Sequence, residues 1–134
     1  MKQLTVISEN RVGVLADICN ILGHAGVNLE SISAMGMGDH GVIRVITSDP
    51  ITAEKLLKRK GYNVNVEDVI VVKVRNRPGE LGKITELIAR EGVNLESVYL
   101  LNKDDQHAYI SIKPASEKEY ETLKDVLSEH MAVE

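Results

Sequence analysis

Hydrophobic residues in the first half of the chain recur with two different periods. Leu15, Ile18, Ile21 and Leu22 are spaced as on one face of a helix, and Gly26 is a residue type that commonly ends one. The runs on either side are rich in β-branched residues and predict strands. The pattern predicts strand, helix, strand, strand, helix and strand at 3–8, 14–26, 27–35, 41–48, 51–60 and 62–69.

The second half of the chain repeats this order. Its pattern predicts strand, helix, strand and strand at 68–75, 79–91, 93–101 and 107–113. A further helix is predicted to begin with a capping box from Ser116 to Glu119. Helical spacing then continues to Leu127, so only a few residues remain for a last strand. In the first copy, the glycine-rich segment from Gly36 to His40 is predicted to be a hairpin loop.

The two halves are copies of one sequence. At an offset of 66 residues, Asn10–Ile32 and Asn76–Val98 are identical at 11 of 23 positions, and the phrase GVNLES occurs in both. Over the rest of the ungapped comparison, identity falls to 4 of 33 positions. An internal repeat of this length predicts two domains, at 1–67 and 68–134.

The order βαββαβ predicts an α+β fold of the ferredoxin-like kind, with an antiparallel sheet and both helices on one face. In that topology the second strand lies at an edge of the sheet. Apolar alternation changes phase within that strand in both copies, which predicts β-bulges near Glu30–Ser31 and Glu96–Ser97. Because an open edge invites pairing, we expect the two edges to join the tandem units into one eight-stranded sheet.

Composition narrows the class of protein. The chain is 43% hydrophobic and 27% charged, with no apolar run that could cross a bilayer and no leader, so we expect a cytoplasmic protein without a membrane partner. A net charge of −4 without a basic stripe, and the absence of Phe and Trp, argue against a nucleic-acid partner. One cysteine and four histidines without zinc spacing predict no metal and no cofactor.

The repeated polar residues suit a ligand that carries a carboxylate and an ammonium on one carbon. Gly13 and Gly79 precede the first helix of each copy, where a carboxylate can approach backbone N–H groups and the positive end of the helix dipole. An asparagine amide offers both a donor and an acceptor, and the loop and edge strand of the two copies carry Asn10, Asn76, Asn28 and Asn94. Two structural alternatives are open: the loop asparagines as helix N-caps, and the strand asparagines as turn residues.

The segments ENRVGVL with GVNLESI, and RNRPGEL with GVNLESV, resemble the ACT domain, a small regulatory module that binds amino acids. The resemblance covers nearly the whole chain, and the motifs are most similar to the serine-binding ACT domain of phosphoglycerate dehydrogenase. It implies a ligand held at the interface between two ACT units, by the loop of one and the second strand of its neighbour. The implied amino-acid-binding residues are Asn10, Val12, Gly13, Val14, Leu15, Asn28, Leu29, Asn76, Pro78, Gly79, Glu80, Leu81, Asn94 and Leu95.

The resemblance implies a non-catalytic sensor that binds a free amino acid and modulates a metabolic enzyme or another partner. No catalytic residues are predicted, because the sequence shows no nucleophile with a partnered base, no paired carboxylates and no phosphate loop. Two alternatives are open: a regulatory subunit of a biosynthetic enzyme such as acetolactate synthase, and an oligomerisation module without a ligand. Units this small bury little surface alone, so we expect a homodimer. Val12 stands where the family has proline, which predicts weaker binding by the first copy.

Overall fold

The computed structural model describes residues 1–131 of the chain. They divide into two compact units, one of Lys2–Asp68 and one of Met1 with the chain from Val69 onward. The first unit contains β1 Lys2–Glu9, α1 Val14–His24, β2 Leu29–Met37, β3 His40–Thr47, α2 Pro50–Arg59 and β4 Asn63–Asp68. The second contains β5 Ile70–Arg75, α3 Glu80–Arg90, β6 Leu95–Lys103, β7 His107–Pro114 and α4 Tyr120–Val126.

The first unit has the predicted ferredoxin-like arrangement. Its antiparallel sheet has the strand order β2-β3-β1-β4, and both helices pack on one face of it. The core joins Leu4 and Val45 of the sheet to Ile18 of α1 and Leu57 of α2, and all four side chains are fully buried. β2 lies at an edge of the sheet, as the topology predicts.

The second unit builds the same kind of core on a smaller sheet. Its strand order is β5-β7-β6, and Ile84 of α3 and Leu123 of α4 pack against Val72 and Ile112. Between 69 and 131 the structure contains no fourth strand, and Met131 forms a single β-bridge with Val72. The few residues left for a last strand beyond this bridge lie outside the described part of the chain.

One prediction about the sheets is wrong. Residues 1–131 form seven strands in two sheets, one of four strands and one of three, and not one eight-stranded sheet. Strand order within a unit follows from short connections, which the sequence pattern reveals. The joining of two edges depends on long-range docking, and the alternation along a strand does not specify it.

Both predicted β-bulges are present. The register of β2 against β3 shifts between Leu29 and Ser31, and the register of β6 against β7 shifts between Leu95 and Ser97. The extra residue lets Leu29 and Leu95 pack against the cores although the alternation changes phase directly after them. The phase change in the sequence therefore has its predicted structural cause.

The hairpin of the first unit is tighter than predicted. β2 runs to Met37, so the turn consists of Gly38 and Asp39 rather than the whole segment from Gly36 to His40. Glycine at position 36 is thus a strand residue. The absence of a Cβ at Gly36 leaves room for the side chain of Asn10.

The hairpin of the second unit is one residue longer. β1 pairs Glu9 with His40, and β5 pairs Arg75 with His107. Glu9 and Arg75 are 66 positions apart, whereas His40 and His107 are 67 apart. The added residue lies in β6, whose register shifts a second time between Leu100 and Asn102, whereas β2 has no shift at the matching place. An ungapped comparison of the two copies therefore loses the true register from this bulge onward, which accounts for part of the fall in identity beyond it.

The second helix of each unit begins differently. Asp49 caps α2, because its carboxylate accepts the backbone N–H of Thr52 at 3.1 Å and the Thr52 hydroxyl at 2.6 Å. The hydroxyl bond is the main reason that the pKa of Asp49 lies below its ordinary value. The predicted capping box before α4 is wrong: Ser116 makes no side-chain cap, and Glu117–Glu119 form a 3₁₀ turn. Instead, the backbone N–H of Glu119 donates to Ser116 O at 3.2 Å.

Candidate functional site

Each unit has the same loop between its first strand and its first helix. It consists of residues 10–13 in the first unit and 76–79 in the second. The last residue of each loop is the helix N-cap and is left-handed, with φ of 93° at Gly13 and 85° at Gly79. A Cβ would meet no atom within 4 Å at either position. Glycine is therefore needed here for its backbone conformation and not for space.

No side chain caps the first turn of α1 or α3. This finding excludes the alternative in which Asn10 and Asn76 are helix N-caps. In α1 the first backbone N–H that donates to the carbonyl four residues earlier is that of Asp17, which bonds to Gly13 O at 2.9 Å. The N–H groups before it have no partner in the preceding turn of the helix, and they stand at the positive end of the helix dipole. A carboxylate is the kind of group that such an end binds.

The loop asparagines are fixed to the neighbouring hairpin. Asn10 Nδ2 donates to Gly38 O at 2.9 Å, and Asn76 Nδ2 donates to Asp104 O at 2.8 Å. The backbone N–H of each asparagine also donates to a carbonyl of the same hairpin. Because the amide nitrogen is engaged in this way, Oδ1 of each side chain is the atom suited to accept a hydrogen bond from an ammonium group.

Asp104 reinforces the hairpin of the second unit. Its carboxylate accepts the backbone N–H groups of His107 at 2.7 Å and Gln106 at 2.8 Å. These two bonds, that of His107 first, hold the pKa of Asp104 below its ordinary value. The carbonyl that receives Asn76 therefore belongs to a closed turn. In the first unit Gly38, with φ of 64°, provides the corresponding carbonyl.

Gly36→Ala should lower the free energy of unfolding by about 1 kcal/mol, the worth of one hydrogen bond. A Cβ at Gly36 would lie 2.9 Å from Asn10 Nδ2, so the amide would have to leave Gly38 O. Urea unfolding measures the change. Gly23→Ala is the matched control, because Gly23 lies within α1 and a Cβ there meets nothing within 4 Å. We expect that control to stabilise by roughly 0.5–1 kcal/mol, and a shift of the same sign in both variants would contradict the anchoring role.

Asn28 and Asn94 directly precede the edge strands β2 and β6. Asn28 exchanges two hydrogen bonds of 3.0 Å with Ser48, one of them to the Ser48 hydroxyl, and Asn94 O accepts the backbone N–H of Ala115 at 2.9 Å. Both asparagines are exposed. Their backbones are therefore fixed at the sheet while the residues remain accessible to a ligand.

Within one unit, the loop asparagine and the strand asparagine lie far apart. Asn10 bonds to the hairpin end of β2, whereas Asn28 precedes the first residue of that strand. β2 and β6 have 9 residues each, so the two ends are separated by roughly 25 Å. One unit therefore does not bring its own two asparagines to a single small ligand.

The remaining predicted site residues differ in exposure. Those that are exposed on the loop or the first helical turn are Val12, Leu15, Pro78 and Leu81. Those that pack in or against a core are Val14, Leu29 and Leu95. Glu80 forms an ion pair with Lys83 at 3.5 Å. The exposed group is accessible from solvent, and the packed group shapes the loop and the edge strand.

Each unit also has a cleft beside the loop, which the sequence did not single out. It borders the end of the first strand, the start of the first helix and the start of the third strand, and it measures about 520 Å³ in the first unit and 380 Å³ in the second. In the first unit Tyr62 lines the cleft and donates to Asp17. Burial, and then this bond, raise the pKa of Tyr62. The lining residues are far apart in sequence, so no local motif marks the cleft.

Two ferredoxin-like units with the same glycine-capped loop define a duplicated small-domain protein. The family model described as an ACT domain pair matches residues 1–126, and the chain belongs to that family. Among solved structures, the chain is similar to protein BT0572 from Bacteroides thetaiotaomicron. The two are 30% identical with a TM-score of 0.87, over 98% of this chain and 90% of that one.

Two further solved structures have the same fold at lower identity. The regulatory subunit of aspartate kinase from Thermus thermophilus, in its ligand-free form, is 15% identical with a TM-score of 0.66, over 96% of this chain and 91% of that one. A structure of aspartokinase alpha and beta subunits is 19% identical with a TM-score of 0.64, over 96% and 90%. No curated protein matches the chain. Among the described residues, no helix has the length and apolar character needed to cross a membrane.

Proposed function

We propose that this ACT domain pair is a non-catalytic sensor that binds a free amino acid and modulates a metabolic enzyme. The observation that carries the proposal is the repeated loop, in which a glycine-capped helix N-terminus stands beside an asparagine whose amide nitrogen is already engaged. Helix N–H groups suit the carboxylate of an amino acid, and Oδ1 suits its ammonium. The fold is also used by a regulatory subunit of aspartate kinase, which supports a regulatory role.

We propose further that a second copy of the chain completes the site. Antiparallel pairing of two edge strands places the start of one strand beside the hairpin end of the other. Asn28 or Asn94 of the second copy would then lie close to the loop of the first copy, although each lies roughly 25 Å from the loop of its own unit. Exposed apolar residues on the edge strands support such pairing, namely Ile32, Val98 and Leu100. The proposed assembly is a homodimer.

Titration calorimetry against the common amino acids tests ligand binding, and sedimentation velocity tests assembly. We expect at least one amino acid to bind with micromolar to sub-millimolar affinity and to raise the melting temperature by mass action. The chain should sediment as a dimer. If no amino acid binds, an oligomerisation module without a ligand becomes the better function. A species at the mass of one chain, with and without the amino acid, would contradict a site shared by two copies.

Val12→Pro should stabilise the first unit by roughly 0.4–1 kcal/mol and tighten binding at its loop. Val12 is 99% exposed, and Pro78 occupies the corresponding position of the second loop. Proline fixes φ before the helix and reduces the conformational freedom that the unfolded chain loses on folding. Urea unfolding and calorimetry of the variant measure the two effects. A ligand bound at the Asn10 loop alone in a co-crystal would contradict our expectation that the second loop binds more tightly.

A further inference from the structure

Among the described residues, three cationic side chains and two histidines border the cleft of the second unit. It measures about 380 Å³ and lies between the end of β5, the first turns of α3 and the turn that contains His130. Its ionisable lining residues are Lys73, Arg75, Glu80, Lys83, His107 and His130. The rest of the lining is apolar. A cleft of this composition differs from the amino-acid site, whose polar groups are amides and backbone N–H groups.

Positive charge exceeds negative charge at this cleft. Three of its lining residues are lysine or arginine, and Glu80 is its one carboxylate among the described residues. Glu80 pairs with Lys83 at 3.5 Å, so the excess remains after that pairing. The cations border the cleft from two elements, Lys73 and Arg75 from β5 and Lys83 from α3. Charges within the Debye length of about 8–10 Å of a bound ligand are only partly screened from it.

Tyr109 and Asp104 engage some of these cationic groups. Lys73 Nζ lies 5.9 Å from the ring centre of Tyr109, so this ammonium is held beside an aromatic face. Asp104 interacts electrostatically with Lys73 and His107, although its carboxylate is already engaged by two backbone N–H groups of its own turn. Arg75 and Lys83 are therefore the cations that we assign to a ligand.

The first unit has the same cleft without this excess. The three positions that are lysine or arginine in the second unit, counted at the offset of 66, are occupied in the first by Ile7, Glu9 and Asp17. The first cleft is lined by two cations, Arg11 and Lys60, and two carboxylates, Glu9 and Asp17, so its charges balance. Both units form the same kind of core, so the fold itself does not require basic residues here. The positive charge is a property of the second copy alone.

Two imidazoles stand at fixed places beside the cations. Lys73 N–H donates to His130 O at 2.8 Å, and His130 N–H donates to Leu127 O at 2.8 Å, which fixes the backbone of His130 next to β5. His107 pairs with Arg75 across β7 and β5. An imidazole has an N–H donor in both of its charge states. The cleft therefore combines cations with hydrogen-bond donors.

We propose that this cleft is a second ligand site and that it binds a small polyanion, a metabolite that carries phosphate or several carboxylates. Guanidinium, ammonium and imidazole groups are the side chains that bind such oxygens by charge-assisted hydrogen bonds. A volume of about 380 Å³ lies within the range of small-molecule sites. The site is separate from the amino-acid site in chemistry, and it belongs to one unit only.

Calorimetry on the full chain tests the proposal with pyrophosphate and citrate as probes, each measured at an ionic strength matched with chloride. We expect the chain to bind at least one of them, and the double variant Arg75→Glu with Lys83→Asp to bind it roughly 10- to 100-fold more weakly. That variant introduces the residues that the first unit carries at the same places. The charge-matched control is Lys55→Asp with Arg59→Glu on exposed positions of α2, which should bind as the original chain does.

Tighter binding of pyrophosphate than of citrate would identify a phosphate ligand, and the reverse order would identify a polycarboxylate. Binding of neither probe would overturn the proposal, and so would an equal loss of affinity in the control. On the original chain, binding of an amino acid without binding of either probe would overturn the anion site alone, and binding of a probe without binding of any amino acid would overturn the sensor alone. The anion site and the amino-acid sensor therefore fail or succeed independently.

Discussion

Asn76→Ala is expected to weaken amino-acid binding by roughly 10- to 100-fold. Asn76 Nδ2 donates to Asp104 O at 2.8 Å, so Oδ1 is the atom that we assign to the ligand's ammonium. A hydrogen bond to a charged group is worth about 1.5–3 kcal/mol, and alanine removes it. The change also frees the loop from its hairpin, which lowers the preorganisation of the site. Titration calorimetry with the bound amino acid measures the loss.

Asn20→Ala is the matched control for this prediction. Asn20 is exposed on α1, so the variant removes the same side-chain amide away from the loop. Its affinity for the amino acid should equal that of the original chain. Asn94→Ala should weaken binding in the same way as Asn76→Ala, because both amides are assigned to the ligand. Unchanged affinity in both of these variants would show that the site is assigned to the wrong residues.

The second large effect is expected for Ile84→Ala, which should lower the free energy of unfolding by about 2–5 kcal/mol. Ile84 is 2% exposed and packs in the second core with Ile88 and Ile112. Alanine leaves a cavity that the neighbouring side chains fill only in part. Urea unfolding monitored by circular dichroism measures the change.

Ile51→Ala provides the control with the same chemistry. Ile51 is 67% exposed near the start of α2, so its truncation should change the free energy of unfolding by less than about 0.5 kcal/mol. Similar losses in the two variants would mean that the packing seen at Ile84 does not determine stability. Ile84 also lies on the helix that begins at the Asn76 loop, so amino-acid affinity should fall in Ile84→Ala as well.

The duplication makes the chain its own comparison. Both copies keep the glycine-capped loop and the asparagine anchor, although the anchoring carbonyl comes from Gly38 in one and Asp104 in the other. The clefts beside the loops differ in charge, with Glu9 in one where Arg75 stands in the other. Features that both copies share are the ones we assign to the amino acid, and the basic charge found in one cleft only is the feature we assign to a different ligand.

Sequence patterns predicted the elements and the bulges well because both depend on local periodicity. A change of phase in a strand is visible in the residues themselves, and it appeared at Leu29–Ser31 and Leu95–Ser97. The capping box at Ser116 was wrong because a cap depends on which hydrogen bonds the backbone actually forms, and a 3₁₀ turn forms there. The length of the second hairpin was missed because a one-residue insertion has no signal in an ungapped comparison.

By itself, the sequence determined the duplication, the order of strands and helices, the edge position of β2 and β6, and the glycines at the two loops. These features follow from spacing and residue type within short segments. Only the tertiary structure decided that Asn10 is an anchor and not a cap, since its partner Gly38 lies 28 residues away. It also decided the division into two sheets, the distance between loop and strand asparagines, and the basic cleft. Each of these depends on contacts between residues distant in the chain, and no local period records such contacts.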